Sequence, residues 1–348
     1  MSRYAAAHAS PNGAGDARPT AIQILEDENL IGKLPDKVML VTGISSGIGI
    51  ETLRAFHATG AHVFGTVRNV AKGQAVVDKI LASKIPSGGP ITLIEMSLDN
   101  LESVRKGAKD ILSKTDKLNI VVNNAGIMAC PYGKTVDGFE TQFATNHLGH
   151  FLLFNLLKDT LLASATPDFP SRVVSVSSIG HRAASVRLDD YNFEKEGSYS
   201  PWAGYGQSKT ANIWLANYID RHYGPQNLHA TSLHPGGINT GLQVHQQELV
   251  NLMKDNPEWV RSVKSSEQGA STSVYAALSE EWKNKGGRFL ADCEEQLEVG
   301  KKPTSAQAAS AAKGAGHIPN DDGYKSWAYD KDGEERLWKD SLKMVGLE

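Results

Sequence analysis

A tyrosine followed four residues later by a lysine, in the run Tyr205-Gly206-Gln207-Ser208-Lys209, is a pair whose types and spacing can do chemistry. The stretch continues through Ala211, Ile213, Leu215 and Ala216 with a helical pattern, and residues four apart on a helix share one face. A free phenol has a pKa near ~10 and seldom ionises at neutral pH. A neighbouring ammonium favours the phenolate and is expected to lower that value, so Tyr205 could give or take a proton close to working pH. The same spacing also arises on an amphipathic helix with a surface tyrosine and lysine, so the pair needs company. Upstream, Arg172-Val173-Val174-Ser175-Val176-Ser177-Ser178 reads as a strand that delivers Ser178 at its carboxyl end, where open α/β sheets bind ligands.

A second group of residues points to a phosphate ligand. Thr42-Gly43-Ile44-Ser45-Ser46-Gly47-Ile48-Gly49 lies between an apolar run at Lys37 to Thr42 and a helical pattern with Leu53, Ala55 and Phe56. Glycines in such a loop permit a tight turn and close approach of a pyrophosphate to backbone N–H groups. Gly43, Ser45, Ser46, Gly47, Ile48 and Gly49 are therefore the expected phosphate contacts, against the plain alternative of an ordinary strand-to-helix turn. Sites that prefer NAD put a carboxylate at the end of the second strand for the ribose 2′-OH, whereas a cation there accommodates a 2′-phosphate. Here the sequence Thr66-Val67-Arg68-Asn69 offers no acid at that point, and Lys72 lies one helical turn beyond Arg68. The planar fork of Arg68 can grip phosphate, which favours NADP(H) as cofactor over the reading of Arg68 and Lys72 as solvated surface cations.

The Gly-x-x-x-Gly-x-Gly spacing differs from the G-x-G-x-x-G fingerprint and resembles the glycine loop of short-chain dehydrogenases/reductases. Four further motifs follow in that family's order between Lys37 and Leu290: Asn123-Asn124-Ala125-Gly126, Asn146 in Asn146-His147-Leu148-Gly149-His150, the Ser178 and Tyr205/Lys209 pattern, and His234-Pro235-Gly236-Gly237-Ile238-Asn239-Thr240. The long separation of Ser178 from Tyr205 resembles the retinol-dehydrogenase-like branch. The resemblance implies that Tyr205 moves the proton, that Lys209 binds the ribose and lowers the tyrosine pKa, and that Ser178 hydrogen-bonds the substrate oxygen, with Ser177 as the nearby alternative. It implies that Asn146 holds a water linking Lys209 to solvent. Asn124, Ala125 and Gly126 would close over the adenosine side, and Pro235, Gly236, the backbone of Ile238 and Thr240 would bind the nicotinamide end and pyrophosphate. Ser97 and Leu98 stand near the expected adenine position, Ser97 where the family commonly places an aspartate.

These motifs need a scaffold. Apolar runs at His62 to Val67, Ile91 to Met96, Leu118 to Val122, Arg172 to Val176 and Leu228 to Leu233, separated by helix-length stretches, predict a parallel sheet buried on both faces. The expected fold class is α/β, a Rossmann-type doubly wound parallel sheet forming a single domain with N- and C-terminal extensions. Residues 1–36 read as an N-terminal arm, partly flexible, 37–300 as the NADP-binding Rossmann-type catalytic domain, and 301–348 as a C-terminal extension with a helix. The resemblance makes Gly286 to Leu290 the last strand. Between Leu242 and Val263 a mixture of Leu242, Val244, Leu249, Leu252, Met253, Trp259 and polar residues reads as an amphipathic lid. An apolar lid favours a bulky, lipophilic alcohol or ketone, such as a secondary metabolite.

Composition excludes other classes. Of 348 residues, 40% are hydrophobic and 22% charged, and the net charge is −3, so nothing in the balance suits a nucleic-acid backbone. Cys130 and Cys293 lie far apart without metal-ligand spacing and read as buried thiols; no metal is expected, and His147, His150, His181 and His234 read as structural or rim residues. The first thirty residues lack the apolar core of a secretory signal and no window approaches the ~20 apolar residues that cross a bilayer, so the cytoplasm is the expected compartment. The expected partner is a small-molecule alcohol or carbonyl compound, and oligomers of the homodimer kind are common among enzymes of this type. Two other functions compete: a catalytically silent NADP(H)-binding sensor, which would have no need of the proton-relay residues, and a nucleotide-sugar epimerase, whose usual loop spacing and larger substrate domain are missing.

Overall fold

Strands β1 (Val38–Thr42), β4 (Ile120–Asn123) and β5 (Ser171–Val176) are buried at every position. A strand apolar on both sides must be covered on both sides. With β2 (His62–Val67), β3 (Ile91–Glu95), β6 (Leu228–His234), β7 (Phe289–Ala291) and β8 (Glu294–Glu295) they form one sheet in the order β3-β2-β1-β4-β5-β6-β7-β8. All pairs from β3 to β7 are parallel and the β7–β8 pair is antiparallel. This is the Rossmann-type α/β fold expected from the sequence. The computed structural model describes residues 2–83, 85, 87–301 and 322–348.

Alternate side chains along each strand enter opposite cores. Leu40, Phe64, Val121 and Val173 pack with the helices Leu101–Leu112, Gly149–Ser164 and Pro201–Tyr223 on one face. Met39, Val41, Val63, Val122 and Val174 pack with Ala21–Asp27, Ile48–Ala58 and Ser271–Leu278 on the other. Strand order reverses between β1 and β4, and a cleft opens at the carboxyl ends of the strands at such a switch point.

The terminal segments pack on this body. Ile24 and Leu25, both fully buried, join the second core, and Tyr4 meets Tyr275 edge-on at 5.8 Å. At the other end the helix Lys331–Met344 buries Leu337 and stacks Trp338 on Tyr218, with ring centroids 3.8 Å apart and planes 8° from parallel. Residues 302–321 of the C-terminal extension read over 301–348 lie outside the described residues. The last parallel strand begins three residues later than expected. Gly286 abuts Asp220, where a Cβ would fall 2.0 Å from its Oδ1, and Gly287 has φ +62°, so both glycines belong to the approach and not to the strand. Cys130 and Cys293 are free and buried. No helix among the described residues is long and apolar enough to cross a membrane.

Candidate active site

The loops after β1, β2, β3, β4, β5 and β6 line one cavity of about 890 Å³. Its floor is the glycine loop, where close backbone approach excludes side chains. Gly43 has φ +74° and an added Cβ would lie 2.7 Å from that of Ala125; at Gly49 it would lie 2.3 Å from the Gly43 carbonyl. The Thr42 hydroxyl oxygen accepts the backbone N–H groups of Asn124 (2.9 Å) and Ala125 (3.0 Å), which fastens the Asn124-Ala125-Gly126 turn over the loop. The resulting groove of exposed backbone N–H groups ahead of a helix suits a pyrophosphate. A nicotinamide dinucleotide fits this cradle: an added Cβ at Gly43 or Gly49 would close it, and the groove continues to the buried tyrosine.

Tyr205 and Lys209 project from the helix Pro201–Tyr223, which starts where the Ser200 hydroxyl accepts the Ala203 N–H and Pro201 supplies a ready first turn. The helix is buried at every position from Gly204 to Asn217, and Tyr205 is only 3% exposed. Its ring lies on Gly180, where a Cβ would come within 2.6 Å of Cε1; this contact brings the Ser178 loop against the phenol. Lys209 Nζ stands 5.6 Å from the centre of the Tyr205 ring and donates to the Val176 carbonyl at 3.0 Å.

Burial pushes the Tyr205 pKa up to about 12, a hydrogen bond with Ser178 pulling the other way, and burial pushes Lys209 down to about 8. The expectation that the ammonium would lower the phenol pKa is therefore corrected. Both groups leave water together, and Lys209 is not among the groups that pull the phenol back down.

Ser177 and Ser178 part company at the end of β5. Ser177 donates to the Lys209 backbone carbonyl at 2.7 Å and is committed to holding the helix, whereas Ser178 Oγ accepts the Gly180 N–H at 2.9 Å and turns its hydroxyl to the cavity beside the Tyr205 phenol. Behind Ser178, His181 Nδ1 donates to the Ser178 carbonyl at 2.6 Å and its Nε2 accepts the Lys325 N–H at 3.2 Å. The C-terminal segment thus braces the serine loop, a connection no local motif could announce.

Asn146 does not line the cavity; it is fully buried behind Gly126, in a π-helical turn at Ala144–Leu148. Its side chain accepts the Ile127 N–H at 2.9 Å and donates to the Ile127 carbonyl (3.0 Å) and Ser208 Oγ (2.9 Å). Its backbone carbonyl accepts from His150 Nδ1 at 2.9 Å, so in the neutral ring Nε2 takes the Thr42 hydroxyl proton, also at 2.9 Å. The wide turn and one buried histidine join the glycine loop to the helix of Tyr205. Both features were invisible in a linear reading, although π turns recur at functional sites.

Most other expected cofactor residues meet at the cavity: Ser45, Ser46, Gly47 and Ile48 in the loop, Arg68 and Leu98 at one end, and Pro235, Gly236, Ile238 and Thr240 at the other. Two stand apart. Lys72 is exposed and outside the cavity wall, because its position on the helix Val70–Ala82 turns it to solvent. Ser97 is also off the wall: its hydroxyl donates to Asp99, and it is the Asp99 side that faces the cavity. The carboxylate stands two residues beyond the position where the resemblance places it. Among the described residues no group of His, Cys, Asp and Glu could hold a metal ion.

A glycine cradle at a switch point, running to a buried tyrosine and lysine, defines a nicotinamide-dependent oxidoreductase. A short chain dehydrogenase family model matches residues 37–250. Over 346 residues the chain is 48% identical to short-chain dehydrogenase/reductase prx1 of Penicillium roqueforti, covering 99% of this chain and 95% of that protein. Retinol dehydrogenase 12 of Mus musculus is 33% identical over 316 residues, 91% of this chain and 88% of that one. A crystal structure of a Mycobacterium paratuberculosis protein superposes with TM-score 0.65 at 30% identity, covering 91% and 96% of the two chains. The protein belongs to the short-chain dehydrogenase/reductase family, in its retinol-dehydrogenase-like branch, and its chemistry is alcohol–carbonyl oxidoreduction.

Proposed function

We propose that the protein is an NADP(H)-dependent enzyme that interconverts a bulky, lipophilic alcohol, of the kind found among secondary metabolites, with its ketone or aldehyde. The observation that carries this reading is the meeting of Tyr205, Ser178 and Lys209 midway between the glycine cradle and an apolar mouth. Held along the Gly43–Gly49 loop and beside Tyr205, a nicotinamide dinucleotide would supply the hydride chemistry when bound. Ser178 donates its hydroxyl proton in a hydrogen bond to the substrate oxygen and fixes which face is presented. In reduction Tyr205 gives its phenolic proton to that oxygen, and in oxidation it takes the proton back. A phenol held near 12 is fully protonated at neutral pH, ready to act as an acid. Lys209, anchored on the Val176 carbonyl, would hold the cofactor's ribose and steady the phenolate that remains after proton transfer. Asn146, fastened to Ser208 and to the Ile127 backbone, holds the turn behind Gly126 beside Lys209.

Cofactor choice rests on Arg68, an exposed guanidinium at the cavity end after β2, with a fork that matches a 2′-phosphate. Substrate class rests on the mouth, where Met128, Trp202, Val244, Met253 and Trp259 present aromatic and flexible apolar surface. The likeness to a retinol dehydrogenase agrees with such a substrate.

The test is turnover of NADPH and NADH with a panel of small and bulky carbonyl compounds, on the wild type and on Arg68→Ala. The reading expects NADPH and bulky substrates to be preferred. It expects Arg68→Ala to lose about 10- to 100-fold in kcat/KM for NADPH, equivalent to ~1.4–3 kcal/mol, while NADH changes little. Equal loss with both cofactors would overturn the NADP assignment, and NADPH binding without any turnover would leave a binding protein.

A further inference from the structure

The lid that closes the substrate end of the cleft is held from behind by the N-terminal arm. After β6 the chain passes through short helices at Gln247–Met253 and Pro257–Ser262 before it returns to the body, and Trp259 of the second helix faces the cavity. That helix ends with carbonyl groups lacking helical partners, which favour a cation. Arg18 supplies it. Its guanidinium donates to the carbonyls of Ser262 (2.7 Å) and Val263 (2.7 Å), with a longer contact to Arg261 (3.5 Å), and to Gly13 (3.1 Å) within the arm. The Nε–H goes to Asp16 Oδ1 at 2.9 Å. The Gly13 N–H returns a bond to the Arg261 carbonyl at 2.8 Å.

Arg18 is 4% exposed, and its buried guanidinium is ion-paired with Asp16 and bonded to four backbone carbonyls. Removing one partner of such a buried set leaves the others uncompensated. Gln268 secures the same knot: its side-chain oxygen accepts the Gly15 N–H at 2.9 Å and its amide donates to the Arg18 carbonyl at 3.0 Å. One residue past the clasp, the Lys264 N–H donates to the Gly237 carbonyl at 2.8 Å, and Lys264 pairs in parallel with Ile238 of the loop after β6. The far side of the lid is tied more lightly, by Gln246 Nε2 donating to the Ala129 carbonyl at 3.1 Å.

We propose that Arg18, with Asp16, is a positioning residue that fixes the Trp259 helix and so sets the fit of the enzyme for bulky substrates. The kinetic part rests on the functional reading above; the structural part does not. The arm lies before the family-matched residues 37–250. The clasp leaves Tyr205, Ser178 and Lys209 untouched, and its loss loosens the apolar wall without altering the reacting groups.

The experiment compares wild type, Arg18→Ala and Arg18→Lys as full-length protein. In brief native trypsin digestion, cleavage after Lys254 and Arg261 should rise about tenfold in Arg18→Ala with little change elsewhere, since digestion of a folded protein reports local opening. KM for a bulky carbonyl should rise about tenfold, while kcat and the KM of a small ketone stay within about twofold. Arg18→Lys, which keeps the charge without the fork, should lie between. If Arg18→Ala does not fold, the lysine variant decides: lid cleavage at the wild-type rate overturns the proposal. Cleavage that rises uniformly along the chain, or kcat and both KM values worsening together, also overturns it. Altered lid cleavage in an enzyme that turns over no carbonyl would sustain the clasp and refute the functional reading alone.

Discussion

Substituting Gly49 by alanine sets two opposed effects against each other in the cofactor cradle. Gly49 is the second residue of the helix Ile48–Ala58, where alanine would ordinarily stabilise by about 0.5–1 kcal/mol through lower chain entropy. The added Cβ, however, would lie 2.3 Å from the Gly43 carbonyl oxygen and 2.6 Å from Asn124 Nδ2, whereas ordinary contact begins near 3.4 Å. Neither neighbour can yield cheaply. The Gly43 oxygen is backbone, and the Asn124 amide is held on the Thr42 carbonyl at 2.8 Å. The loop must therefore retreat by roughly an ångström, at a typical overpacking cost of ~1–3 kcal/mol. The clash exceeds the helix gain, and the displaced N–H groups are those offered to pyrophosphate. The expected result is weaker NADPH binding by roughly 5- to 100-fold, since each 1.4 kcal/mol is about tenfold. NADPH fluorescence titration measures it, with circular dichroism to show the fold intact. NADPH affinity within about twofold of wild type, with the protein folded, would refute the assignment of this loop as the phosphate cradle.

Lys209→Met should abolish turnover yet raise stability at neutral pH, because the burial that lowers the lysine to about 8 is a cost of holding its charge. The folded-state value lies below the unfolded value of 10.5, so the cost is complete below about pH 8, shrinks between 8 and 10.5 and is gone above. The Val176 carbonyl keeps Asn212 Nδ2 at 3.1 Å, so the variant leaves no orphan there, and a rise in thermal midpoint at pH 7 that fades by pH 10.5 is the check. Acid should act in the opposite direction. His150 and His181 are held at about 4, and His147 and His234 at about 3, all by burial. Below the ordinary value of 6.5 the unfolded chain takes up protons that the folded chain refuses, so urea-unfolding stability should fall steadily from pH 6.5 toward 4. A flat profile across that window would contradict these burials.

The fold was legible because a parallel sheet buried on both faces writes near-continuous apolar runs into the chain: the run His62 to Val67 coincides with β2, and Leu228 to Leu233 falls one residue short of β6. The glycine loop was legible for a related reason, since Gly43 and Gly49 stand where no side chain fits. Pairings between distant segments were not. The Arg18 clasp spans 244 residues to Ser262, and the His181–Lys325 brace spans 144. Sequence spacing gave the direction of Tyr205 and Lys209 but not the depth of their burial, and burial reversed the expected shift of the phenol. Asp99 escaped because a two-residue offset in a loop changes which side chain reaches the wall.

The central claim is that Tyr205 moves the proton in hydride transfer, and Tyr205→Phe tests it with a single atom removed. The phenol oxygen is lost while the ring that packs on Gly180 remains, so NADPH binding and the fold should persist. Steady-state carbonyl reduction by the variant should fall roughly a hundredfold to ten-thousandfold, the usual share of a positioned acid. A variant that binds NADPH and reduces substrate at the wild-type rate would contradict the account.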